Sequence, residues 1–302
     1  MRRDLNIVAV QARPHAIGAP FEAFADEARR LVAETPGVEL LLFPELHLFH
    51  PPGASLEADN AALRAAAQPL DGPLDEALRA LAKALGVCLV PGTVCELGPN
   101  GEFYNTLPVY DAAGERLAVY RKIFPWRPNE PFDPGDRFVC FDLPGKGRIG
   151  LTICYDAWFP EVARQLAWMG AELVLNLVKT TTPDRKQELV LAQANAIFNQ
   201  VFLLSVNCAG PVGMGQSLLV GPEGENLAAL DGAGPGKLHA VIDVAEAEAV
   251  RRRGTCGENR MWLQFRPGDR SIALPVYGGR IDPTHWAPPG LSADLGAKES
   301  TQ

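Results

Sequence analysis

The sequence predicts a single α/β domain of layered type, in which a mixed sheet system is covered by helices. Three observations predict it. Apolar spacing switches repeatedly between the 3.6-residue period of amphipathic helices and short continuous runs typical of buried strands. Tight-turn sequences such as Gly98-Pro-Asn-Gly101 and Asp111-Ala-Ala-Gly114 mark hairpins between some of those runs. No linker and no fixed-period repeat divides the 302 residues.

The elements follow in order. Leu5-Asn-Ile-Val-Ala-Val10 is a buried strand, and Phe21, Phe24, Ala25, Ala28, Leu31 and Val32 mark one helix face that ends at Pro36-Gly37. Val38 to Phe43 is a second buried strand, stopped by Pro44-Glu45. A loop holding Pro51-Pro52-Gly53 precedes helical spacing from Leu74 to Leu85, with Gly86 as the stop. Strands are expected at Val87 to Val94, Phe103 to Tyr110 and Leu117 to Tyr120, then a proline-rich loop from Ile123 to Asp136. Phe138 to Leu143 and Arg148 to Ile153 form a hairpin, and Pro160 to Met169 a short helix. Leu173 to Leu177, Val201 to Val206, Gln216 to Val220, Asn226 to Leu230 and His239 to Asp243 read as strands. Asp184 to Asn199 reads as a helix with Leu189, Leu191, Ala192, Ala196 and Ile197 on its apolar face. An Ala/Glu-rich helix ends near Gly254. The core domain is expected over 1–280, with 281–302 a tail that is loose or held by a partner subunit.

Composition removes several classes of function. The net charge is −8, and the longest basic block is Arg251-Arg252-Arg253, so phosphate neutralisation along a nucleic acid is disfavoured. No run approaches the 18 or so apolar residues of a membrane span, and the start of the chain reads as a first strand rather than a signal peptide. The six cysteines, at 88, 95, 140, 154, 208 and 256, form no C-x-x-C pair and sit mostly in apolar runs. They read as reduced thiols of a cytoplasmic protein, one at most having a special role.

Several motifs are decoys. Gly145-Lys-Gly147-Arg-Ile-Gly150 matches a dinucleotide fingerprint in letters only, because a strand follows where a helix would have to open. Gly236-Lys237 lacks the upstream glycine of a P-loop, and Ser217 has no nucleophile-elbow context. His15, His47, His50, His239 and His285 are dispersed, and none pairs with another at helical ligand spacing. No metal and no cofactor is expected.

What remains is a set of strand ends. Cys154 closes the buried strand Arg148 to Ile153 just before a helix, where backbone N–H groups and the helix dipole favour a thiolate and can cradle an oxyanion. Glu45 lies immediately beyond the apolar strand Leu40-Leu-Leu-Phe-Pro44, and a charge there needs a partner. Lys122 ends Leu117-Ala-Val-Tyr-Arg-Lys122. Strand ends are where α/β sheets assemble sites, and a carboxylate, an ammonium and a thiol make a base, an electrophile and a nucleophile.

The wording around the three is specific. Phe43-Pro-Glu45, Tyr120-Arg-Lys122-Ile-Phe-Pro-Trp126-Arg-Pro-Asn-Glu130 and Ile153-Cys154-Tyr-Asp156-Ala-Trp-Phe-Pro-Glu161 resemble, in order and spacing, the motif blocks of the nitrilase superfamily of carbon–nitrogen hydrolases. The resemblance runs from about Leu5 to Asp243. It implies a four-layer α-β-β-α sandwich with Glu45, Lys122 and Cys154 as the catalytic triad. Lys122 to Glu130, with the following Pro131-Phe-Asp-Pro-Gly135, is most similar to the aliphatic amidase and formamidase branch, which implies that Glu130 holds the amide. Tyr155-Asp156 stands where nitrilases carry Trp-Glu, and the long C-terminal extension of aliphatic amidases has no counterpart here. The implied reaction is hydrolysis of a small amide by water through a thioester, with N-carbamoyl amidase, nitrilase or non-catalytic scaffold as alternatives. The Tyr155 N–H joins Lys122 in the expected oxyanion site. Trp126, Phe132, Tyr155 and Trp158 are candidate walls of the acyl pocket, and Lys179 a candidate contact for a charged substrate. The resemblance also implies a homodimer or larger homo-oligomer, paired through one outer helix layer.

Overall fold

A computed structural model describes residues 2–274 and 276–280, and the expected tail over 281–302 falls outside them. The compact unit ends at Met261. The described residues beyond it form a second unit, with a 3-10 turn at Val276–Gly279.

The first half supplies one sheet and its helices. Strand β1 (Asp4–Gln11) leads to helix α1 (Phe21–Ala33), whose Phe24, Ala25, Ala28 and Leu31 are buried at helical spacing. Strand β2 (Leu40–Leu42) follows, and then a helix the apolar spacing did not disclose, α2 (Leu56–Ala65). Leu63 is its one buried residue, so it carries almost no amphipathic signal; its mark is Ser55, whose Oγ accepts the Ala58 N–H at 3.1 Å. Helix α3 (Pro73–Leu85) starts on proline and stops at Gly86, which is left-handed as expected.

The single strand expected over 87–94 is two, β3 (Cys88–Val90) and β4 (Val94–Leu97), broken at Pro91-Gly92. Gly92 has φ 95, and a Cβ there would lie 2.3 Å from the Pro44 carbonyl oxygen, so the chain bends tightly against the segment that carries Glu45. Strands β5 (Phe103–Tyr110) and β6 (Arg116–Arg121) complete this half as an antiparallel pair.

The second half repeats the scheme. Strands β7 (Cys140–Leu143) and β8 (Gly147–Ile153) form the expected hairpin, so the Gly145–Gly150 glycines are a turn and a strand. A 3-10 turn (Cys154–Trp158) leads into α4 (Pro160–Trp168). Then come β9 (Leu173–Val178), α5 (Arg185–Asn199), β10 (Phe202–Asn207), β11 (Leu218–Val220), β12 (Asn226–Ala229), β13 (Gly236–Asp243) and α6 (Ala245–Arg253).

Two mixed sheets result. One has the order β13-β1-β2-β3-β5-β4, with β6 also on β5; the other runs β12-β11-β10-β9-β8-β7. Strands β1, β2 and β3 are parallel, as are β8, β9 and β10. Side-chain alternation sorts each strand into two cores. Leu5, Ile7 and Ala9 of β1 join Leu151, Ile153 and Leu175 of the second sheet in the inter-sheet core. Val8 and Val10, one position out of phase, pack with Phe24, Ala28 and Leu81 under α1 and α3. Across the second sheet, Leu166 of α4 lies over Gly150, where a Cβ would come 3.1 Å from its Cβ. The order is therefore helix, sheet, sheet, helix.

Candidate active site

Strands β2, β6 and β8 end close together: Lys122 and Cys154 directly follow β6 and β8, and Glu45 comes three residues after β2. Glu45 is buried two residues beyond Phe43. The turn holding it has Leu46 in a left-handed conformation, with the Leu46 N–H donating to Thr93 Oγ1 at 2.9 Å. Its Oε1 accepts from Asn105 Nδ2 at 2.8 Å and from Lys122 Nζ at 3.0 Å. The Lys122 side chain is fully buried, and its ammonium donates to both oxygens of Glu130 at 2.8 Å. Glu130 Oε2 also accepts the Trp126 N–H at 2.8 Å. The backbone positions the lysine: its N–H donates to the Asn105 carbonyl at 2.9 Å, and its own carbonyl accepts from Gly135.

Cys154 is the first residue of the 3-10 turn and has φ 47, an uncommon conformation for a residue with a Cβ. Asp156 pins that turn. Its Oδ2 accepts from the Ile153 N–H at 2.9 Å and the Tyr120 hydroxyl at 2.7 Å, and its Oδ1 from the Phe124 N–H at 2.9 Å. One buried carboxylate thus ties the Cys154 turn to β6 and to the loop after Lys122. Burial pushes the Asp156 carboxyl up to about 6, against the lowering effect of Tyr120 and Lys122.

The electrostatics of the centre are collective. Burial raises the Glu45 carboxyl, the Glu130 charge adds to this, and Lys122 and Asn105 oppose it. Burial alone would lower Lys122, but Glu130, Glu45 and Cys154 together raise it well above its ordinary value. The Cys154 thiol is raised by burial and then by Glu45, against the pull of Lys122. This departs from the expected thiolate. Desolvation, with the Glu45 charge, outweighs Lys122 and the turn's N–H groups.

The remaining candidates separate. Tyr155 lies beside Phe159 with ring centroids 5.3 Å apart, and Trp158 at 6.2 Å. Trp126 is partly exposed next to Glu130. Trp158 lines a surface cavity of about 440 Å³ with Lys186, Gln187, Val190 and Leu191 of α5. Phe132 is buried against Phe103, ring centroids 4.6 Å apart, in the core beneath the first helix layer. Lys179 is not a solvated loop charge, since burial lowers its ammonium while Cys208 and Glu45 draw it up.

Sequence reasoning missed Asn105, Asp156 and the buried Arg185–Glu188 pair at 3.0 Å. Arg185 also donates to Ser205 Oγ and to the Gly215 and Gln216 carbonyls, fixing the turn before β11. Polar residues inside otherwise apolar strands are the signal that singles out Asn105.

Residues 7–252 match the carbon–nitrogen hydrolase family. Among curated proteins, the chain is 34% identical over 210 residues to a formamidase of Pseudomonas syringae pv. syringae, covering 67% of this chain and 58% of that protein. It is 32% identical over 255 residues to a formamidase of Bradyrhizobium sp., covering 81% and 71%. The chain thus spans under two thirds of the length of the Pseudomonas relative. Among solved structures, Saccharomyces cerevisiae Nit3, a member of branch 10 of the nitrilase superfamily, superposes with TM-score 0.73 at 25% identity over 83% of this chain and 94% of that one. The amidase from Nesterenkonia sp. AN1, in a cysteine-to-alanine mutant complexed with butyramide, gives 0.66 at 28% identity over 83% and 95%. A further mutant of that amidase carries the acetamide moiety of fluoroacetamide covalently on its active-site cysteine.

Proposed function

Because this chain belongs to the carbon–nitrogen hydrolase family of the nitrilase superfamily, we propose that it hydrolyses small non-peptide amides to a carboxylic acid and ammonia through a thioester on Cys154. The observation that carries this reading is the buried chain Asn105–Glu45–Lys122–Glu130, closed by hydrogen bonds of 2.8 to 3.0 Å beside the Cys154 turn.

An amide carbonyl is a weak electrophile, so attack requires a nucleophile activated in place. Glu45 takes the thiol proton as sulfur bonds to the carbonyl carbon. The raised thiol gives up its proton only as sulfur attacks, and a carboxylate that burial raises while Lys122 keeps it ionised is a stronger base for that proton. Lys122 and the Tyr155 N–H hold the tetrahedral oxyanion, and losing one such donor costs about 3 kcal/mol of barrier. Glu45 returns the proton to nitrogen, the C–N bond breaks and ammonia leaves. Water then adds to the thioester with Glu45 as base, releasing the acid and restoring the thiol. Glu130 accepts from the amide N–H₂ and fixes its orientation. The support from relatives is the formamidase similarity, the butyramide complex of the Nesterenkonia amidase and its covalent acetamide adduct. The active form is a homodimer or larger assembly, supported by exposed Val190 and Phe198 on one outer helix.

Ammonia release from formamide, butyramide, carbamoyl amino acids and nitriles tests the reading. Turnover of the first two, abolished in Cys154→Ala with the circular dichroism spectrum kept, is expected. Wild-type rates in that variant, or turnover confined to carbamoyl compounds or nitriles, would overturn it.

A further inference from the structure

The five histidines are dispersed in sequence, yet the fold brings two of them to one carboxylate. His15 lies in the loop after β1, Glu27 on α1 and His47 two residues past Glu45. His15 Nε2 is 2.9 Å from Glu27 Oε2, and His47 Nε2 is 3.2 Å from the same oxygen. All three ligand atoms lie within 4.8 Å of one another. Tetrahedral zinc with bonds of about 2.0–2.1 Å sets neighbouring ligand atoms about 3.3 Å apart, so only a small spreading of this cluster admits the ion.

We propose that His15, Glu27 and His47 form a binding site for a zinc-like divalent cation, separate from the Cys154 centre. The site is both built and reachable. His47 is fully buried, stacked on Phe43 with ring centroids 4.9 Å apart, while the His15 and Glu27 side chains keep 22% and 18% exposure. Those two line an open cavity of about 660 Å³, leaving room for water as a fourth ligand. Coordination requires each Nε2 lone pair, so the ring protons move to Nδ1 and the ion takes the place of the two Nε2 contacts to Glu27. At His47 the buried Nδ1 atom has no competing hydrogen-bond partner. Arg13 and Arg30 also line the cavity, but they are engaged by the Gly210 carbonyl and by Glu34. Two histidines and a carboxylate are a familiar donor set for zinc. Bound metal would clamp α1 to the loop that bears Glu45, where the His15 N–H already donates to the His47 carbonyl at 2.7 Å.

The test uses the whole chain in a Cys154→Ala, Cys256→Ser background, which removes the two thiols most able to compete. After chelator treatment, it is dialysed against micromolar zinc chloride and its metal content measured. About one zinc per chain is expected, with retention weakened by roughly tenfold or more in His15→Ala and in Glu27→Gln. Asp26→Ala, which alters the same cavity without touching the three ligands, should bind as the background does. Cobalt substituted at the site should show d–d bands of a tetrahedral nitrogen and oxygen environment without thiolate charge transfer. Absence of stoichiometric zinc, or equal retention in His15→Ala and Glu27→Gln with unchanged circular dichroism, would show the cluster to be only a carboxylate latch between two imidazoles.

Discussion

Lys122 is a buried ammonium between two carboxylates, Glu45 at 3.0 Å and Glu130 at 2.8 Å. One positive charge against two negative ones explains why the Cys154 thiol stays protonated: ionising it would place a third negative charge in a dry site. The same arithmetic fixes the sign of a pH effect. Glu45 must be ionised to accept the thiol proton, and Lys122 lowers a carboxyl that burial raises. Lys122→Met removes the lowering influence, so the acid limb of kcat/KM should move to higher pH while the maximum falls by roughly 10²–10³. Asn105→Ala, which takes one donor from Glu45, should move the limb in the same direction by less. Profiles of both variants with circular dichroism as the folding control decide it, and an unmoved acid limb in each would remove Lys122 and Asn105 from the control of Glu45. The three principal residues were legible in sequence because each follows an apolar strand and sits in specific wording. Asn105 was not, because its role comes from strand register: it meets Lys122 through the β5–β6 pairing, and sequence spacing alone does not reveal what faces a strand residue.

At the level of elements, the turn after β8 decides whether the thiol is presented correctly. Asp156 accepts three hydrogen bonds there, and its carboxyl is raised from 3.8 to about 6. A folded pKa above the unfolded one means that this group's contribution to stability is complete below 3.8 and is lost as pH rises through about 6. Asp156→Asn abolishes that slope and leaves the Ile153 N–H facing an amide N–H₂ or unpaired, a loss of about 1–3 kcal/mol. The variant should therefore be most destabilised relative to wild type near pH 4, with the gap narrowing towards neutrality. Denaturant unfolding of both proteins at the two pH values measures this, and a gap that widens with pH would contradict it. Sequence placed Cys154 at a strand end before a helix, which the fold bears out in outline. The raised thiol was not legible, because desolvation and the Glu45 charge come from residues far away in sequence rather than from the local turn. The break between β3 and β4 escaped for a related reason: Pro91-Gly92 lies inside an apolar run, and the bend is imposed by contact with Pro44.

For the molecule as a whole, the continuous apolar strands disclosed a sheet covered on both faces, and the two cores bear this out. The helix over 184–199 was located correctly, and Ala192 and Ala196 of its expected apolar face are buried, but Leu189 and Leu191 are only half-buried and Ile197 is exposed. Beside the two alanines α5 buries the polar Arg185, Glu188, Asn195 and Asn199. Those polar groups are tied down internally: Arg185 bonds to Glu188 and Ser205, and the Asn195 side chain donates to the Ala157 carbonyl. The outer side of α5 bears exposed apolar residues, Val190 at 63% and, about two turns on, Ile197 at 38% and Phe198 at 55% exposure. Large apolar side chains on the outer side of a helix depart from the usual amphipathic pattern, and the proposed second copy of the chain would cover them. Light scattering coupled to size exclusion should report a mass of two chains or a multiple of two at micromolar concentration. The double variant Val190→Asp, Phe198→Asp should run as one chain with unchanged far-ultraviolet circular dichroism, since both side chains lie outside the core. A wild-type monomer, or an assembly the double variant leaves intact, would place the contact elsewhere or nowhere.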